Sequence, residues 1–373
     1  MVGINAIREL KVIIPMILCQ VASGGVSMFY KVAVADGMRI DILIAYRYIF
    51  ATIFIAPLAL VIERRSRPQF TWLIAIQGFA CGIFGASLGS NLYAESLVLT
   101  SPTFATAMTN VIPALTLLMA VIFRLERLDI RTSLAGKAKV VGTALGVSGA
   151  MVLTFYKGIN ITIWSTHINL LRGFEANSAT KGQNHLKGSI LAFCSCLSYT
   201  AWLIIQTRMS LMYPLYSSTA IVCSIGAILS GIYALCKETH LTEWKLGWNI
   251  RLMAAAYTGI FGSGFVIAIT AWVTRVKGPL YVSSFTPLSL IFVAVLGSLI
   301  LDEKLNLGSV IGSVLIILGL YIVIWGKSKE MRAVSKGTEG ELTITSRNHQ
   351  TGNNSMVADS GREETSLEAT EKV

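Results

Sequence analysis

Ten apolar runs of about 20 residues, separated by polar connections, constrain this chain more than any other feature. They begin near Val12, Ile40, Thr71, Pro102, Ala138, Gly188, Pro214, Arg251, Pro279 and Gly308. Crossing ~30 Å of hydrocarbon at a rise of ~1.5 Å per residue takes about 20 helical residues. Lipid offers no partner to an open backbone amide, so each run must satisfy its hydrogen bonds internally as a helix. The alternating in-out pattern of barrel strands is absent. The expected fold is an all-α integral membrane protein with ten transmembrane helices and the lipid bilayer as its permanent partner. Composition agrees: 54% of residues are apolar and 14% charged, against about 45 to 50% and about 25% in soluble domains.

The formal net charge is +11, and Lys and Arg concentrate in alternate connections. One set comprises Arg8 and Lys11, Arg64 to Arg67, Arg124 to Lys139, Arg208, Arg275 with Lys277, and the residues after the last run. The excess of basic residues on that side predicts that it is cytosolic, together with both termini. Charge dispersed this way is an orientation signal and not a nucleic-acid patch, so no nucleic-acid partner is expected. Arg8 and Lys11 precede an apolar run without a small-residue cleavage pattern, which reads as a retained first span. The six cysteines lie in or beside apolar runs with no zinc or disulfide spacing, and the four histidines lie in polar connections. No metal and no cofactor are expected. No phosphate-binding lysine loop, paired carboxylates or nucleophile elbow is present, so enzyme chemistry is not expected.

Internal repetition is the second constraint. Gly82-Ile83-Phe84-Gly85 recurs as Gly259-Ile260-Phe261-Gly262, and the same shift of 177 maps Pro102 onto Pro279, Glu126 onto Glu303 and Leu128 onto Leu305. Further on the shift becomes 170, mapping Gly142 onto Gly312 and Gly149 onto Gly319. One repeat is therefore five helices, and an odd number of crossings inserts the second copy upside down. The predicted organisation is an N-terminal segment 1–11, a first repeat 12–156, a non-cytosolic connection 157–187, a second repeat 188–326 and a disordered cytosolic tail 327–373.

Two inverted copies of one shape can exchange conformations around a central site. Its candidate lining is polar residues sharing a helix face: Gln20, Gly24, Ser27 and Lys31 in the first span, and Ser195, Tyr199, Trp202 and Gln206 in the sixth. Asn91 and Glu95 share a face in the third span; Thr106, Asn110 and Pro113 do so in the fourth. Pro113 and Pro287 lie inside their spans, where each removes a backbone hydrogen bond and kinks the helix. Arg47 needs the most explanation, because a charge at membrane depth costs at least about 2.5 to 3.5 kcal/mol. It could hold a solute carboxylate through a two-pronged contact, bond backbone carbonyls of a neighbouring helix, or snorkel toward the surface. Glu95 is the candidate for proton coupling, with a solvated helix end as its alternative. Gly85-x-x-x-Gly89, Gly142-x-x-x-Gly146 and Gly308-x-x-x-Gly312 read as helix-packing motifs.

Several stretches are distinctive: Asn91-Leu92-Tyr93, Thr100-Ser101-Pro102-Thr103-Phe104-Ala105, Asn110-Val111-Ile112-Pro113-Ala114, Gly149-Ala150-Met151-Val152 and Tyr156-Lys157-Gly158 in the first half. The second half adds Gly278-Pro279, Pro287-Leu288-Ser289-Leu290, Glu303-Lys304-Leu305 and Gly319-Leu320-Tyr321. Together they resemble the plant nodulin-like, or Walls Are Thin-related, branch of the drug/metabolite transporter superfamily, whose members carry two EamA domains. The resemblance implies two inverted EamA repeats and a facilitator or exporter of small organic solutes, usually amino acids or auxin-related compounds. The plasma membrane is the expected location, with the vacuolar membrane as the alternative, and a homo-oligomer is compatible with the resemblance. Glu95 stands where that family would carry a more neutral residue. A nucleotide-sugar or phosphorylated-metabolite exchanger and a lipid scramblase remain the competing readings.

Overall fold

A computed structural model describes residues 2–65, 67–99, 108–126, 133–156, 160–161, 185–237, 244–300 and 305–331. Among these, nine helices are long and apolar enough to cross a membrane. The predicted fourth span is present as the shorter helix Ile112–Ile122, and its start at Pro102 lies outside the described residues. In chain order the helices are α1 (Val2–Ala35), α2 (Ile40–Ile62), α3 (Trp72–Ser96), α4 (Ile112–Ile122), α5 (Leu134–Phe155), α6 (His185–Met212) and α7 (Leu215–Lys237). They continue with α8 (Ile250–Lys277), α9 (Pro279–Leu296) and α10 (Leu307–Met331).

Local chemistry sets several boundaries. Ser133 accepts a hydrogen bond from the Ala135 amide and Asn249 one from the Arg251 amide, capping the open N-termini of α5 and α8. Gly278, at φ 89°, ends α8 in a conformation that L side chains rarely adopt, and Pro279 then opens α9. Large apolar side chains such as Ile53, Ile76, Leu118, Ile228 and Ile232 stay exposed, as a lipid-facing exterior requires.

Two predicted boundaries move. The predicted cytosolic N-terminal segment, residues 1–11, is helical from Val2 and continuous with the first span. α10 runs through Met331, past the predicted boundary at 326, because Lys327 and Glu330 are not solvated tail charges. The Lys327 ammonium lies 2.6 Å from Glu126 Oε2, and Lys139 lies 2.8 Å from Glu126 and 2.6 Å from Glu330. The Glu126 carboxylate is fully buried against the Gly278 turn, so paired charges neutralise one another at the end of α10. The tail beyond Met331, and Glu303 with Lys304, lie outside the described residues.

The packing is reciprocal between the halves. α8 packs along α1 and α2, and α3 packs along α6 and α7; α1 meets α9 as α6 meets α4; α2 and α7 lie against each other. Exchanging the two repeats reproduces each contact, which is what a pseudo-twofold axis generates. Direction follows from glycines in α5 and α10. A Cβ on Gly142 would sit 2.8 Å from the Gly319 carbonyl, and one on Gly149 would sit 3.0 Å from that of Gly312. Early residues of α5 therefore face late residues of α10, and the equivalent helices of the two repeats run antiparallel. The predicted Gly142-x-x-x-Gly146 motif takes part, since a Cβ on Gly319 would stand 2.7 Å from the Gly142 carbonyl and 2.5 Å from the Gly146 amide nitrogen, although a Cβ on Gly146 itself would point into open space. At the opposite end of this pair, a two-residue strand β1 (Asn160–Ile161) joins β2 (Leu305–Asn306) antiparallel.

Both repeats also depart from α-helical geometry at equivalent places. α3 passes through a π-helical segment at Gly82–Leu88 and α8 through another at Ile260–Phe265, the site of the repeated glycine motif. In the next helix of each repeat the chain breaks outright. The fourth span turns at Asn110 and Val111, and Pro113 stands in the first turn of α4 instead of kinking a continuous helix. α9 breaks at residues 285–287, where three-residue hydrogen bonds such as Leu290 N to Pro287 O replace the α pattern. Non-helical backbone at membrane depth persists only where protein or a cavity surrounds it.

Candidate functional site

Arg47 lies about 10 Å along α2 from its start, and the structure explains its presence. Its Nε donates to Ser263 Oγ at 2.6 Å, Nη1 to the Tyr30 hydroxyl at 2.9 Å and Nη2 to the Gly262 carbonyl at 3.0 Å. Ser263 and Gly262 belong to the π-segment of α8, whose widened turn frees a carbonyl for a side chain from outside. Tyr30 and Tyr48 also place their rings 5.9 and 5.6 Å from the guanidinium carbon, within cation–π range. Carbonyl bonding to a neighbouring helix is thus the arrangement present, and snorkelling is not. A guanidinium offers five N–H donors, so part of its capacity is unused. None of its partners among the described residues is a carboxylate.

The first repeat mirrors this arrangement. Gly85 is the counterpart of Gly262, and its carbonyl accepts from the Tyr48 hydroxyl at 3.4 Å, while Ser198 Oγ donates to Phe84 O at 2.8 Å. Neighbouring residues of α2, Arg47 and Tyr48, therefore each bond one of two equivalent π-segments. The indole of Trp202 lies on Gly85, where a Cβ would come within 2.4 Å of it, and the Tyr199 ring lies beside it, tilted by 57° with centroids 5.1 Å apart. Tyr199 also interacts with Thr286 at the α9 break and lies near Arg47, Tyr48 and Cys19. Arg47 and Tyr48, side by side on α2, thus link the two π-segments, with Tyr30 and Ser263 on the Arg47 side and Trp202 and Tyr199 on the Tyr48 side.

The remaining sequence candidates divide. Gln20 and Ser195 are buried on α1 and α6. Gln206 is fully buried, and neither amide atom has a hydrogen-bond partner; Trp202 Nε1, Asn110 Nδ2 and Asn91 Oδ1 share that condition. Buried polar atoms are normally satisfied, so these positions suit a wet, polar lining. Asn91 and Glu95 line a separate groove of about 510 Å³ between α3 and α7, with Ser87, Tyr233 and Cys236. Glu95 accepts from the Tyr233 hydroxyl at 2.7 Å and pairs with Lys237 at 3.0 Å, with its side chain 37% exposed. That is the geometry of a solvated helix end. The Lys31 side chain and Thr106 lie outside the described set. Tyr30, Tyr48 and Ser263 were not singled out from sequence; the repeated Gly-Ile-Phe-Gly text was the available signal for the π-segments.

Halves that run in opposite senses, paired helix breaks and a cation set among polar groups are features expected of a membrane transporter. The EamA-like transporter family model matches residues 10–155 and 186–325. The chain belongs to that family. A WAT1-related protein of Arabidopsis thaliana is 38% identical, covering 91% of this chain and 96% of its own length. Another from the same organism is 40% identical over 87% of this chain and 92% of its own. A solved crystal structure at 16% identity superimposes with a TM-score of 0.64, covering 85% of this chain and 97% of its own, a likeness of fold alone.

Proposed function

We propose that the protein carries small organic solutes bearing a carboxylate, amino acids or auxin-related compounds, across the plasma membrane by alternating access. In this reading α1, α2, α8 and α9 move against α3, α4, α6 and α7, and both termini are cytosolic. The observation supporting it is Arg47, a cation at membrane depth whose partners Ser263, Tyr30 and Gly262 are all neutral. A charge at membrane depth without a counter-charge is costly, and a carboxylate arriving with the solute would compensate it through a two-pronged bond. Tyr199 and Trp202 supply an aromatic wall for the solute's apolar part. Phosphorylated cargo would call for several free cations at depth, whereas Lys139 and Lys327 already face Glu126.

Counterflow of labelled amino acids and indole carboxylates in proteoliposomes tests this. Arg47→Ala is expected to weaken apparent affinity by roughly 10- to 100-fold, the equivalent of one charged hydrogen bond at ~1.5 to 3 kcal/mol. Arg47→Lys, which keeps the charge but loses the fork, should fall between. Ser263→Ala removes one tether and leaves the guanidinium, so it separates loss of cargo contact from loss of helix packing. Unchanged transport in Arg47→Ala would leave Arg47 a purely structural residue.

A further inference from the structure

α2 and α7 are the antiparallel pair that the pseudo-twofold axis exchanges, so the two ends of this pair are counterparts of one another. Their joints differ. At the end predicted cytosolic, Glu63 follows α2 and is buried. Its Oε1 accepts from the Tyr216 amide at 2.9 Å, and Oε2 accepts from the Ser217 amide and hydroxyl, both at 2.7 Å. Those amides open α7, so a carboxylate closes the free N–H groups and the positive end of the helix dipole at once. At the other end Lys237, in the last turn of α7, reaches Asp41 in the first turn of α2 at 3.6 Å, with the lysine side chain 38% exposed and shared with Glu95. Partly exposed ion pairs hold weakly, whereas short charge-assisted bonds in a buried setting hold firmly.

We infer that Glu63 is a clasp that keeps the predicted cytosolic end of the carrier shut at rest, so that the resting site faces the opposite side. The inference rests on the alternating-access reading. A carrier of this kind tightens one α2–α7 joint as it loosens the other, and the joint with the stronger bonds sets the resting state. Releasing Glu63 then moves both ends: the clasp end opens, and the Asp41–Lys237 end closes.

Hydrogen–deuterium exchange of the full chain in lipid nanodiscs tests this without knowledge of the cargo. In Glu63→Gln, amides at 209–220 and 72–78 are expected to exchange about tenfold faster or more, while those at 36–43, 233–237 and 250–254 become more protected. Asp41→Asn, which weakens the other joint, is expected to leave 209–220 unchanged or slower. Faster exchange confined to 63 and 215–218, without protection at the far end, is local fraying and overturns the proposal. Should Glu63→Gln fail to fold, Ser217→Ala removes one of the bonds and is expected to give the same reciprocal pattern at smaller amplitude; its absence there also overturns the proposal. If the reciprocal pattern appears but no carboxylate solute shows counterflow, the clasp stands and the cargo assignment falls.

Discussion

Gly319→Leu is expected to prevent α5 and α10 from packing, giving a chain that inserts but does not purify as a single folded species. A Cβ at Gly319 would stand 2.5 Å from the Gly146 amide nitrogen and 2.7 Å from the Gly142 carbonyl. An overpacked side chain that its neighbours can accommodate costs about 1 to 3 kcal/mol. Here the obstructing atoms are backbone and cannot rotate away, so the two helices must separate. Gly149→Leu should behave alike, because its Cβ would meet the Ile316 amide at 2.8 Å. Gly146→Ala is the internal control: its Cβ points into open space, and the change should be neutral or stabilise by up to ~1 kcal/mol through helix propensity. Thermal midpoints from size-exclusion profiles in detergent measure all three. A Gly319→Leu chain as stable as the parent would show that this helix pair is not tightly packed.

Glu126→Ala is the second change with a large expected effect. The Glu126 side chain has no exposed surface and takes both Lys139 and Lys327 as partners, one from each half of the chain. Removing one member of a buried pair costs about 3 to 5 kcal/mol because an unpaired charge remains. Glu330, 2.6 Å from Lys139 and 3.2 Å from Lys327, retains part of the compensation. The loss should therefore lie near the lower figure, about 3 kcal/mol. Glu126→Gln, similar in volume, should lose nearly as much, which separates charge from packing. Replacement of exposed Lys329 by alanine should change little, and equal midpoints for all of these variants would contradict the network.

The helices were legible in the sequence because the bilayer imposes a length and an apolar alphabet on each. The glycine motif beginning at Gly82 and Gly259 disclosed the repeat, and its backbone consequence, a π-segment in each copy, follows from packing that sequence spacing does not display. Gly82 would carry its Cβ into Ile225, and Gly259 into Phe50 and the Arg47 carbonyl. Arg47 stood out as a costly charge, but its partners Ser263 and Gly262 lie more than 200 positions away, and no local pattern pairs them. In the sequence, Lys327 and Glu330 stand where the apolar periodicity stops and so look like the start of a tail; only the fold brings Glu126 and Lys139 beside them. Asn91 and Glu95 were grouped with the axis by helical spacing, which identifies a shared face but not the neighbour that the face meets. That neighbour is α7.

Alternating access between the halves requires that they be folded alike and inserted in opposite senses. Arg65, between α2 and α3, and Lys245, between α7 and α8, are exposed and occupy equivalent connections. Single cysteines at these positions, in a chain whose six native cysteines are replaced by serine or alanine, labelled with a membrane-impermeant maleimide on intact cells, measure the relation directly. Labelling of the Lys245→Cys chain on intact cells, with Arg65→Cys reacting only after permeabilisation, is the predicted result; reaction of both from the same side would contradict it.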